Sequence, residues 1–172
     1  MKHKKPQVIR SAQLCLRALE GRDQDDMIQL LTNKAVAKTY MLPDFPNLEA
    51  AVALFERLQR LSQAEDRFVY GIFMEDTLVG FLNDVEILED SMELGYAILP
   101  RHQNNGYATQ ALAAAMDALF QLGYAAVCTG AFEENIPSIR VMEKCGMTRL
   151  EKVEDIDYRD KTHRCIYFEK RP

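Results

Sequence analysis

The chain has 172 residues and a mass of 19.7 kDa, 48% of them hydrophobic and 27% charged. That fits one domain with its own core and excludes a disordered, collagen-like or low-complexity chain. Its net charge is −5; Lys2, Lys4, Lys5 and Arg10 put +4 on the first ten residues, so the rest carries −9, a poor match for nucleic acid, whose phosphates call for Lys and Arg.

The basic start, residues 1–11, reads as a solvated tail and not as a signal peptide, since no apolar stretch follows it. No apolar run approaches the ~18 residues of a membrane span. Cys15, Cys128, Cys145 and Cys165 are scattered, which suits free thiols in a cytoplasmic protein.

Residues 14–18 form a first strand, and Asp23 is placed to cap a helix with Met27, Leu30 and Leu31 on its apolar stripe. Pro43 and Pro46 interrupt the chain before Asn47, which caps a second helix bearing Ala51, Val52, Phe55 and Leu58 on one face. Phe68–Met74, Thr77–Leu88 and Met92–Leu99 read as an antiparallel meander joined at Glu75-Asp76 and Glu89-Asp90. A longer helix spans about residues 106–122 and ends at Gly123. Ala125–Ala131 is almost wholly apolar and therefore a central strand. Asn135 caps a short helix that stops at Gly146, and Thr148–Ile156 with Arg164–Lys170 closes the chain as a hairpin. The class is α/β: a mixed sheet with crossover helices, in one domain over residues 12–172.

Chemistry concentrates where a strand ends at Pro100 and the loop Gln103-Asn104-Asn105-Gly106 runs into a helix. A helix N-terminus presents unpaired N–H groups and positive dipole charge to an anion. Gly106 removes a Cβ where a phosphate would approach, and Ala108 keeps the next turn small. The loop has neither the Lys of a Walker A motif nor the glycine spacing of a dinucleotide fingerprint. His163 and Cys165 lack partners at metal-ligand spacing, so no metal is expected.

Gln103-Asn104-Asn105-Gly106-Tyr107-Ala108 resembles the R/Q-x-x-G-x-G/A signature of the GCN5-related N-acetyltransferases (GNAT). Gly95-Tyr96, Pro100 and the helix opening Tyr107-Ala108-Thr109 resemble the RimJ/RimL-like branch. So do Asn135-Ile-Pro-Ser138 with Glu143-Lys144-Cys-Gly146, and Tyr158-Arg159-Asp160, His163 and Tyr167-Phe168. The resemblance spans about residues 12–170. It implies a seven-stranded mixed sheet flanked by about four helices. It also implies an acetyl-CoA-dependent enzyme acting on an amine by direct attack in a ternary complex, with no metal. The acceptor is then a protein N-terminus or, alternatively, a small polyamine, amino acid or antibiotic; a CoA-binding module without catalysis is a third reading. A monomer or homodimer is expected, with neither nucleic acid nor membrane as partner.

The resemblance also implies roles. Backbone groups at Ala97 and Ile98 meet the pantetheine where two strands splay, with Gly95 a place for the bulge that parts them. Gln103, Asn104, Asn105, Gly106, Tyr107, Ala108 and Thr109 hold the pyrophosphate, and Asn135 meets the pantetheine while capping its helix. Glu93 is the candidate base and Ser138 the candidate acid. Met142 stands where many of these enzymes carry a proton-donating Tyr, which leaves Ser138, another Tyr or solvent as the donor; Tyr96 and Tyr107 are candidates that read first as packing residues. The acids Glu133, Glu134, Glu151, Glu154, Asp155 and Asp157 border the acceptor groove, where they would suit a cationic amine or basic peptide.

Overall fold

The computed structural model describes residues 4–172. They form one open sheet of eight strands, with four α-helices on its two faces. The strands are β1 (Val8–Arg10), β2 (Leu14–Arg17), β3 (Tyr70–Met74), β4 (Thr77–Ile87), β5 (Ser91–Ile98), β6 (Ala126–Phe132), β7 (Thr148–Tyr158) and β8 (Lys161–Lys170). The helices are α1 (Gln24–Leu31), α2 (Leu48–Gln63), α3 (Tyr107–Gln121) and α4 (Ile136–Lys144). The order across the sheet is β1-β2-β3-β4-β5-β6-β8-β7. Every pair is antiparallel except β5 with β6.

The eighth strand corrects the expectation of seven and shortens the expected tail. Val8–Arg10 pairs with β2 and buries Ile9 between two exposed neighbours. Three residues in a basic stretch are too few for periodicity to reveal. Lys5 is drawn in as well: its ammonium donates to the carbonyls of Ser62 (2.6 Å) and Val69 (3.4 Å) and lies over the Tyr70 ring. Residues 1–3 of the expected tail lie outside the described residues.

Asn47 caps α2 as expected, accepting from Ala50 N–H at 2.9 Å. Asp23 does not cap α1 with its side chain. Its carboxylate accepts a bidentate pair from Arg17 (2.9 and 3.1 Å) and the Glu20 N–H, so its oxygens are already engaged.

Two cores sandwich the sheet. α1 and α2 cover one face, where Met27, Leu30, Leu31 and Phe55 pack on Phe73 and Phe81. α3 and α4 cover the other, where Leu112, Met116, Leu119 and Met142 pack with Tyr70, Leu94 and Val127. Alternation along each strand sends successive side chains to opposite cores. On β5, therefore, Leu94 and Tyr96 face α3 and α4, while Glu93, Gly95 and Ala97 face the α1–α2 side.

Candidate active site

β5 and β6 are paired only over Ser91–Glu93 against Ala126–Cys128. Beyond Glu93 they part, and a cavity of about 880 Å³ opens between them. The disturbance that accompanies this lies in β4 and not at Gly95. Asp84 pairs with Leu94 and Glu86 with Glu93, leaving Val85 as the extra residue of a bulge. Gly95 has another use: a Cβ there would come within 3.1 Å of Val85 Cγ2 and 3.3 Å of both Asn83 Oδ1 and the Tyr40 ring. Its lack of a side chain lets Tyr40 lie against the strand.

The open edge of β5 has a fixed polarity. Leu99 N–H donates to the Val79 carbonyl, and antiparallel alternation then turns the main-chain groups of Ala97 toward β4. Leu94, Tyr96 and Ile98 turn theirs toward the gap. Ala97, expected as a main-chain partner, lines the cavity, but its main-chain groups turn toward β4. The Ile98 carbonyl is taken by Gln103 Nε2 at 3.0 Å, so Gln103 ties the loop to the strand.

At the mouth, Asn104 (φ 62°) and Gly106 (φ 75°) both adopt the left-handed conformation, and no side chain caps α3. This backbone turns N–H groups inward as an anion cradle continuous with the helix N-terminus. Gly106 is required for its φ more than for space, since a Cβ would meet only Gln110 Nε2, at 4.0 Å. Asn104, Gly106, Tyr107, Ala108 and Thr109 line the cavity. The Asn105 side chain instead pins the loop, donating to the His102 and Gln103 carbonyls at 3.1 Å each. Arg140 and Lys144, one turn apart on α4, also line the cavity and add cationic partners for phosphates. Their i,i+4 spacing was the available signal in the sequence. The residues present therefore fit an acyl-CoA.

Asn135 caps α4, accepting from Ser138 N–H at 3.3 Å, and lines the cavity. Ser138 is not only a first-turn serine: its Oγ lies 2.9 Å from the Tyr96 hydroxyl, bridging the gap between α4 and β5. Burial pushes the Tyr96 hydroxyl up to about 12, with the Ser138 hydrogen bond opposing, so it holds its proton at neutral pH. Tyr96 packs against the α3–α4 core as expected and also meets Ser138, a partner 42 residues away that a strand pattern cannot reveal. Tyr107 does contact the core, its hydroxyl touching Met74 Sδ. Met142 is fully buried.

Glu93 stands at the last β5–β6 pair, half-buried on the α1–α2 face. Burial raises its carboxyl above the ordinary range; Lys152 opposes this, and Glu86 and Glu154 add to it. Farther along this face, Tyr40 donates to Asn83 Oδ1 at 2.5 Å and meets the Phe81 ring edge-on. The β7–β8 turn reaches the same wall. Tyr158 Oη lies 2.7 Å from the Ala37 carbonyl and accepts from Leu42 N–H at 3.2 Å. Arg159 pairs with Asp44. Tyr40 and Asn83 lie far apart in the sequence and no motif marks them, whereas Tyr158 opens the Tyr158-Arg159-Asp160 segment that carries part of the resemblance.

The acids of the hairpin are mostly engaged elsewhere. Glu154 accepts from Tyr167 (2.6 Å) and pairs with Lys152 (3.1 Å), Asp157 accepts from Thr162, and Glu134 meets His163 and Lys161. None of the six expected acids lines the cavity.

Residues 13–148 match the family model described as an acetyltransferase (GNAT) domain. The chain is 24% identical over 147 residues to the uncharacterized N-acetyltransferase YoaA of Bacillus subtilis (strain 168), covering 83% of each chain. Two solved structures share the fold. One is an acetyltransferase from Salmonella typhimurium that modifies the N-terminal serine of a ribosomal subunit protein (TM-score 0.82, 21% identity, 96% of this chain and 99% of that one). The other is a spermidine N-acetyltransferase from Vibrio cholerae in complex with CoA and spermine (TM-score 0.79, 20% identity, 94% and 96%). A parted β5–β6 pair with an anion cradle at its mouth is what a GNAT enzyme uses to hold acetyl-CoA, and this chain belongs to the GNAT acetyltransferase family as an acetyl-CoA-dependent N-acetyltransferase.

Proposed function

We propose that the acceptor is the primary amine of a small molecule, entering from the α1–α2 side. The observation that carries this reading is the Tyr158 bridge. Its bonds to the 37–42 segment tie the β7–β8 turn to the wall that carries Tyr40 and Met41, which supports an amine entering end-on over a polypeptide lying across the site. The mouth beside Met41 and Val85 is open to solvent, which keeps a protein N-terminus as the second reading.

Acetyl-CoA supplies an acetyl thioester, whose carbonyl carbon bonds to the acceptor nitrogen as its carbon–sulfur bond breaks. The loop N–H groups from 104 to 109, with Arg140 and Lys144, hold the phosphates. Gap-facing main-chain groups of Tyr96 and Ile98 position the pantetheine, and an N–H there stabilises the oxyanion. Glu93 takes the amine proton, directly or through water, and its raised affinity for protons suits that task. Tyr96 and Ser138, hydrogen-bonded to each other, donate toward the leaving sulfur in place of the Tyr that Met142 replaces. Positioning in a ternary complex supplies much of the rate.

Thiol release from acetyl-CoA, measured with a panel of small primary amines and of short peptides, tests the acceptor. Turnover of small amines well above that of peptides is expected. Turnover of peptides alone would replace this reading with the N-terminal one.

A further inference from the structure

The acceptor side carries a charge pattern that narrows the substrate. Two acids line the cavity, Asp84 and Glu93. Asp84 is buried and locked by Arg67 at 2.6 and 3.2 Å. Glu93 alone is then left to receive an ammonium. Glu86 pairs with Glu93 across β4–β5 and stands at the same end, and Lys152 acts on Glu93, Glu86 and Glu154 together. A second positive charge several carbons away would find no carboxylate lining the wall.

The outer wall presents large apolar side chains beside Thr39 and Asn83. Met41 is 52% exposed and Val85 55%, and both line the cavity beside the Tyr40 ring. The β4 bulge adds Val85 to the wall, and Gly95 leaves the space that Tyr40 and Val85 occupy. Phe132 and Ile156 also line the cavity, from β6 and β7. Large hydrophobics exposed at a binding mouth are covered by what binds there.

Resting on the small-amine reading above, we infer that the acceptor is a monoamine with an apolar body. Its amine meets Glu93, and its alkyl or aryl portion covers Tyr40, Met41 and Val85. Polyamines are poorer acceptors, because their distal ammonium finds no free carboxylate lining this wall and gives up the apolar contact with it. On the acidic hairpin Glu154, Asp155 and Asp157 are engaged by Lys152, Arg164 and Thr162, and none of its acids lines the cavity.

Hexylamine and 1,6-diaminohexane form a matched pair, equal in carbon count and differing by the distal amine. Initial rates with acetyl-CoA should favour hexylamine in kcat/KM by roughly tenfold or more. Val85→Glu, on an exposed bulge, should narrow or reverse that ratio without changing acetyl-CoA affinity. Equal or better turnover of the diamine by the wild type would overturn the inference. Acetylation of a peptide beginning with Leu but of neither amine would overturn the small-amine reading on which it rests. Acetylation of both amines at equal rates would leave that reading intact and remove only the apolar preference.

Discussion

The Tyr96 hydroxyl and Ser138 Oγ, 2.9 Å apart, join β5 to the first turn of α4 across the gap where the sheet opens. Tyr96 is held in place by burial in the α3–α4 core, and Ser138 by the Asn135 cap beneath it. Met142, where a hydroxyl would otherwise stand, packs in that same core.

Tyr96→Phe should lower turnover by about 100-fold, the range of a lost proton donor, while acetyl-CoA affinity is kept. Ser138→Ala should lower it similarly, and the double variant should lose little more than either single one, since the two hydroxyls act as a unit. Independent, additive losses in single-turnover assays would show that they do not share a proton path.

Glu93 links function to stability with opposite signs. Its folded carboxyl titrates above the ordinary 4.5. The folded state therefore binds protons more readily there, and stability is lost as pH rises through that window. Glu93→Gln should melt higher than wild type at neutral pH, and this difference should vanish below about pH 4. The same change should lower turnover. Lys152→Met removes the charge that opposes burial, so the acid limb of kcat/KM should move to higher pH; an unmoved limb would separate Glu93 from the rate.

Gly106→Glu places a carboxylate on the anion cradle. A Cβ has space there, but its φ of 75° strains any side chain by about 1 kcal/mol. The variant should fold, and calorimetric titration should show acetyl-CoA affinity reduced by about 100-fold or more. Unchanged affinity in a folded variant would remove the loop from phosphate binding.

Tyr158→Phe deletes the hydroxyl that contacts Ala37 and Leu42. The 37–42 wall should loosen, raising the acceptor KM several-fold while acetyl-CoA binding stays as it was. Equal effects on both substrates would mean that the contact supports the fold at large.

The sequence by itself determined the parts whose cause is local. Asn47 and Asn135 cap helices because a side-chain oxygen three residues from an N–H needs nothing else. Gly123 and Gly146 end helices at φ 85° and 71°, which other residues rarely adopt. The Gln103–Thr109 loop was legible for the same reason, since its shape lies in consecutive backbone groups with Gly106 at a left-handed φ.

The tertiary structure decided what depends on strand parity and distant partners. The main-chain groups of Ala97 turn toward β4 because hydrogen-bond direction alternates along a paired strand, a phase that only the register fixes. The bulge belongs to Val85 and not Gly95 because an extra residue appears only when two strands are counted against each other. Asp23 has the composition of a cap yet serves Arg17, and the hairpin acids have the composition of a cationic site yet serve Lys152, Tyr167, Thr162, Lys161 and His163. A charge in sequence has no assigned partner until the fold brings one within hydrogen-bond reach, and here the fold left Glu93 lining the cavity, half-buried, between the opposed charges of Lys152 and Glu86.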